Sequence, residues 1–160
     1  MTNLAVEAAL RAQGIELVRA KVGDRYVLEE LQRRNWILGG EGSGHLLALD
    51  KHTTGDGLIS ALQVLQACVN RQQGIAEQLK GVDLCPQVLL NVRLQPGQDW
   101  SRNQKLADLQ RDITEHFAGQ GRVLIRASGT EPLLRVMVEA FDAAQASRCA
   151  EQLAEAARQS

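Results

Sequence analysis

Two successive patterns in this 160-residue chain predict an α/β unit followed by an α+β unit. Up to about residue 83, amphipathic helical stretches alternate with short apolar runs. From about residue 84 the order becomes strand–helix–strand–strand–helix, with period-two alternation in the first strand. The shift falls near Gly81 to Pro86, so the expected domains are 1–83 and 84–160.

In the first unit, Val6, Ala9 and Leu10 share a helix face that Gly14 ends, and Ile15 to Val18 is a β-favouring run. Asp24 reads as the cap of a helix with Val27, Leu28 and Leu31 on one side and Asn35 near its end. Trp36-Ile37-Leu38 and Leu46 to Leu49 read as strands around a Gly39 to His45 loop. Thr53-Thr54-Gly55-Asp56 then caps a third helix, in which Leu58, Leu62, Leu65 and Val69 fall in helical register.

In the second unit, Val88, Leu90, Val92 and Leu94 alternate with Leu89, Asn91 and Arg93, the pattern of a strand. A polar loop from Gln95 to Arg102, with Pro96 and Gly97, leads to a helix marked by Leu106, Leu109, Ile113 and Phe117 and stopped by Gly119 and Gly121. Arg122 to Arg126 and Leu133 to Ala140 are two strands joined by a tight turn, and Asp142 with Gln145 forms a capping box for a last helix.

Composition narrows the function. A net charge of −1 gives no broad basic field for nucleic acid, and 3% aromatic residues give no base-stacking platform. Any anion held here must be gripped by a few placed groups. No apolar run reaches the roughly 18 residues of a membrane span. The N-terminus, MTNLAVEAALRAQGIEL, lacks a signal peptide's continuous apolar stretch, so a cytoplasmic location is expected. Cys68, Cys85 and Cys149 are too scattered for a disulfide framework or a zinc site and read as buried thiols.

Two loops carry candidate chemistry. In Arg126-Ala127-Ser128-Gly129-Thr130-Glu131-Pro132, followed by Arg135, two hydroxyls and a glycine lie between two arginines on adjoining strands. A phosphate dianion wants such guanidinium and hydroxyl donors around a concave turn. An ordinary hairpin with solvated arginines fits the spacing as well. In Gly39-Gly40-Glu41-Gly42-Ser43-Gly44-His45, a carboxylate and a hydroxyl two residues apart suit sugar hydroxyls or an amino group. A flexible connection with a solvated Glu41 is the alternative, because glycine-rich spacing alone is a weak signal. Lys21 and Arg25 flank Gly23-Asp24 and read first as solvated surface.

Taken together, KVGDRYVLEEL, GGEGSGHLLALDKHTTGDG, NVRL and RVLIRASGTEPLLRVMVE resemble the bacterial phosphoglucosamine mutase family, within the α-D-phosphohexomutase superfamily, over essentially the whole chain. The resemblance implies most of an α/β third domain, beginning upstream of Met1. It also implies a TATA-binding-protein-like α+β fourth domain, with an antiparallel sheet and helices on one face. Family enzymes interconvert glucosamine 6-phosphate and glucosamine 1-phosphate in the cytoplasm, supplying UDP-N-acetylglucosamine for peptidoglycan. They do so through a phosphoserine in the first domain, a Mg²⁺ loop of DGDxDR type in the second, and a bisphosphorylated sugar intermediate.

Carried over, the resemblance implies that Glu41 and Ser43 bind the sugar with His45 beside them, and that Gly23 and Asp24 form a loop approaching it. Arg126, Ser128, Gly129 and Thr130 would hold the non-reacting phosphate, with Arg135 in support. The two loops would thereby grasp opposite ends of one amino-sugar phosphate. The active-serine motif and the DGDxDR loop do not occur in the sequence, so no catalytic residue and no metal ligand is expected here. The chain alone is expected to be inactive without the missing N-terminal domains. The alternatives are a phosphomannomutase or phosphoglucomutase fragment, or a non-catalytic phosphosugar-binding module.

Overall fold

A computed structural model describes residues 2–95, 98–129 and 131–159, and the chain divides into two units, Met1–Asp83 and Leu84–Ser160. Pro96 and Gly97, expected in a polar loop, lie outside the described residues.

The first unit opens with helix α1 (Leu4–Ala12), whose free N-terminal amide at Ala5 donates to the Asn3 side chain at 3.0 Å. Ile15 to Val18 forms no strand, contrary to its β-favouring composition, because no neighbouring strand pairs with it. Helix α2 (Asp24–Arg34) is capped by Gly23 rather than by Asp24. Gly23 adopts φ 125°, a conformation that L side chains rarely take, and Asp24 becomes the first helical residue. Strands β1 (Leu38–Gly40) and β2 (Leu46–Ala48) pair antiparallel, Gly40 opposite Leu46. The strand therefore starts later than Trp36 and takes in Gly39 and Gly40. The cause is packing: a Cβ on Gly39 would lie 2.7 Å from Val27 Cγ1, so only glycine lets β1 rest on α2.

Helix α3 (Gly57–Arg71) is capped by Asp56, which accepts from Leu58 and Ile59 N–H at 2.8 and 3.0 Å. Its apolar register does not become core. Leu58, Leu62, Leu65 and Val69 are 56–79% exposed, and the buried apolar side chains described in this unit are Ala5, Leu31 and Leu47. Cys68 on the same helix is only partly buried, whereas Cys85 and Cys149 are buried as expected of all three. A single helical turn, α4 (Ile75–Gln78), follows.

The second unit is a three-stranded antiparallel sheet, β3 (Gln87–Arg93), β5 (Leu133–Ala140) and β4 (Gly121–Ala127) in that spatial order, with helices α5 (Gln104–Phe117) and α6 (Ala143–Arg158). The helices share a core with one face of the sheet: Val92, Leu134, Val136 and Val138 meet Ile113, Phe117 and Leu153. Ala146, Ala150, Ala154 and Ala157 on α6 are fully buried, and their small side chains let the helix approach closely. Gly121 has the same role at the start of β4, where a Cβ would collide with the Phe117 ring. Asp142 caps α6 through Ala144 and Gln145 N–H, but Gln145 makes no reciprocal bond, so only half of the expected capping box forms.

On the sheet face opposite this core, Glu139 stands directly across from Arg122. Glu139 is fully buried and receives Arg122 Nε and Nη2 on one carboxylate oxygen, at 2.9 and 2.6 Å. A buried charge left alone is costly. Arg122→Ala is therefore expected to lower unfolding stability by about 3–5 kcal/mol, measured by urea denaturation. Replacing both residues by leucine should cost much less. Equal losses in the two variants would show that packing, not charge, sets the penalty.

Candidate functional site

The alternation of β5 puts Arg135, Met137 and Glu139 on the face away from the helices, because Leu134, Val136 and Val138 fill the core. Arg126 on β4 stands opposite Arg135, four residues along from Arg122 opposite Glu139. Two arginines of one strand thus meet opposite chemistry. Arg122 is neutralised by a carboxylate. Arg126 faces another cation, and neither the Arg126 nor the Arg135 guanidinium joins an ion pair or hydrogen bond with a described residue. Like charges directly opposite destabilise a sheet. Both side chains are partly buried, so water screens them only in part.

The turn beyond these arginines adds a second open group. Ser128 N–H donates to Leu133 C=O at 2.8 Å, extending the pairing one residue past β4. Ser128 Oγ is buried and has no hydrogen-bond partner among the described residues. Leaving such a hydroxyl unsatisfied costs roughly 1–3 kcal/mol, which an arriving acceptor would recover. A Cβ on Gly129 would meet nothing within 4 Å, so the fold's own packing does not require glycine there. Thr130, the remaining member of the expected phosphate loop, lies outside the described residues. The same sheet face carries Asn91, opposite Arg135, and Arg93. Neither belongs to the expected site, although their place in the alternation of β3 is visible in the sequence.

In the first unit, the β1–β2 connection forms a tight turn. Glu41 N–H donates to His45 C=O at 2.9 Å, and Gly44, at φ 96°, donates to Glu41 C=O at 3.0 Å. Glu41 Oε1 accepts from Gly23 N–H at 2.9 Å, which joins two expected site segments 18 residues apart in sequence. The other carboxylate oxygen of Glu41 has no partner among the described residues, so it remains an acceptor. Ser43 and His45 are exposed, and their side chains make no hydrogen bonds among the described residues. The Thr53–Gly57 segment passes beside this loop: a Cβ on Gly55 would lie 3.4 Å from His45 Cδ2.

Asp24 is exposed and accepts from Arg25 N–H at 2.7 Å. Lys21 and Arg25 both lie over the Tyr26 ring, 5.7 and 5.1 Å from its centre. Among the described residues, no three His, Cys, Asp or Glu side chains gather as metal ligands. No helix of those residues is long and apolar enough to cross a membrane.

Comparison with known proteins matches both units to one family. Residues 1–83 match the phosphoglucomutase/phosphomannomutase alpha/beta/alpha domain III, and residues 89–156 match the C-terminal domain of that family. The chain is 69% identical over 158 residues to a phosphoglucosamine mutase of Acidovorax sp. (strain JS42), covering 99% of this chain and 36% of that protein. It is also 69% identical over 160 residues to the phosphoglucosamine mutase of Delftia acidovorans, again covering 36% of the relative. The chain therefore spans about a third of the length of these curated relatives. The fold is similar to that of Aspergillus fumigatus N-acetylphosphoglucosamine mutase, solved in complex with GlcNAc-6P and magnesium. That likeness has a TM-score of 0.70 at 18% identity, over 96% of this chain and 39% of that one.

The Glu41–Gly23 bond makes a direct prediction about the loop between β1 and β2. Glu41→Ala should accelerate hydrogen exchange of the Gly23 amide by about tenfold or more, as expected for losing a bond to a charged acceptor. Glu41→Gln, which keeps an acceptor oxygen, should retain most of the protection. An unchanged Gly23 exchange rate in the alanine variant would mean that the bond does not form in solution.

Proposed function

This chain belongs to the phosphoglucomutase/phosphomannomutase family, and on that premise we propose that it is the sugar- and phosphate-recognising part of a phosphoglucosamine mutase. The whole enzyme interconverts glucosamine 6-phosphate and glucosamine 1-phosphate in the cytoplasm, by way of a phosphoserine and a bisphosphorylated sugar supplied or held by domains outside the third of the relatives' length that this chain matches. Magnesium in that enzyme would neutralise charge on the transferring phosphoryl group, and its ligands would come from those other domains. The specific sugar rests on 69% identity to proteins bearing that name.

The observation that carries the reading is Arg126 opposite Arg135 with a buried, unpartnered Ser128 hydroxyl beside them. Two unpaired guanidiniums hold a phosphate dianion through charge-assisted bonds, and the Ser128 O–H donates to a third oxygen. Gly129 belongs to the same turn, and Thr130, expected from the sequence to join it, lies outside the described residues. In the other unit, the free Glu41 oxygen accepts from a sugar hydroxyl or from the amino group. Ser43 bonds a neighbouring hydroxyl, His45 supports the loop, and Gly23 with Asp24 borders it. None of these groups breaks or forms a bond to phosphorus. They fix the far end of the substrate, and that binding energy positions the near end for transfer.

Calorimetry with glucosamine 6-phosphate tests this division of labour. The chain is expected to bind the sugar phosphate without converting it to glucosamine 1-phosphate. Arg126→Ala should weaken binding by roughly 10- to 100-fold, the loss of about 1.5–3 kcal/mol expected for a bond to a charged group. Equal affinity in the variant and the parent would remove the phosphate role. Tighter binding of mannose 6-phosphate than of glucosamine 6-phosphate would shift the assignment to the mannose and glucose branch of the family.

A further inference from the structure

Resting on the phosphate reading above, we propose that Arg93 is a third arm of the same anion grip, so that three strands each supply one guanidinium. Arg93 is the last residue of β3, and the register places it opposite Leu133, with Asn91 opposite Arg135. Arg93 and Arg135 are therefore diagonal neighbours on the face that the helices leave open, about 7–8 Å apart at the backbone and within reach of long side chains. Arg126 lies on the far side of Arg135, directly opposite it.

Three features together point to Arg93 as a further donor to this anion. It makes no ion pair or hydrogen bond among the described residues, as is also true of exposed Arg71 and Arg148, so its guanidinium is available to a ligand. It adds a third positive charge to a strand end where Arg126 and Arg135 already repel, with no compensating carboxylate bound to any of them. Its strand is also tied to the phosphate turn, because Leu94 N–H donates to Pro132 C=O at 3.0 Å, one residue after Arg93. A dianion answers all three charges at once. The partly buried pair supplies fixed donors, and the exposed Arg93 closes on the anion from the outer edge of the sheet.

Titration calorimetry of the full chain with inorganic phosphate tests this assignment, using Arg93→Ala, Arg93→Lys, Arg126→Ala and, as a control, Arg111→Ala. Arg93→Ala should weaken phosphate binding by about tenfold, the scale of one charge-assisted bond. Arg93→Lys should recover part of that loss, since lysine keeps the charge but not the fork. The unfolding midpoint of Arg93→Ala in phosphate-free buffer should match the parent, because no internal contact is lost, and Arg111→Ala should bind as the parent does. If Arg126→Ala weakens binding while Arg93→Ala stays within twofold of the parent, Arg93 is a solvated arginine and the inference fails with the two-arginine site intact. If neither variant weakens binding, the whole cluster is rejected, Arg93 included.

Discussion

Strand β5 is hydrogen-bonded on both sides, and its period of two decides where the charges of this sheet can stand. Leu134, Val136 and Val138 must face α5 and α6 to fill the core, so Arg135, Met137 and Glu139 must face the other way. Pairing with β4 then sets Arg122 against Glu139 and Arg126 against Arg135. A slip of one residue would drive both arginines of β4 into the apolar core, which gives the register its strength. The unfavourable cation pair is thus held in place by hydrophobic packing on the opposite face. Arg122 and Glu139 add a buried ionic clasp toward the other end of the same strands.

The amino-terminal unit works by a different economy. It has few buried apolar side chains among its described residues, and its candidate loop is positioned by local geometry: a two-strand ribbon, a tight turn at Gly44, and the Glu41–Gly23 bond. Gly23 serves two ends there. Its positive φ starts α2 without a side-chain cap, and the same conformation aims its N–H at the Glu41 carboxylate. One glycine therefore couples the start of a helix to the orientation of the Glu41 carboxylate.

Much of this was legible in the sequence because it depends on local pattern. The alternation from Val88 to Leu94, the run Leu133 to Ala140, and the caps Asp56 and Asp142 follow from residue type and spacing alone. What depends on tertiary partners was not. Ile15 to Val18 has strand composition and no strand to pair with. Leu58, Leu62, Leu65 and Val69 keep helical register, yet periodicity cannot say whether anything covers a helix face. Asp24 has the chemistry of a cap, but the chain needed φ 125° at the preceding position and glycine took the role. In the candidate site, the arginines and the Ser-Gly-Thr turn were visible as letters. Their juxtaposition, and the solitude of Ser128 Oγ, came only with the strand register.

The central claim is that the Arg126–Arg135 pair is kept in a repulsive state that a phosphate relieves. Its most direct measurement is the unfolding midpoint of the chain against inorganic phosphate concentration, with ionic strength held constant by chloride. A ligand bound only by the folded state stabilises it by about 2.7 kcal/mol at a hundred times its dissociation constant. The account predicts a midpoint that climbs with the logarithm of phosphate concentration. It also predicts no climb in the Arg126→Ala/Arg135→Ala double variant, which should be no less stable than the parent in chloride alone. A flat response in the parent, or an equal climb in the double variant, would contradict it.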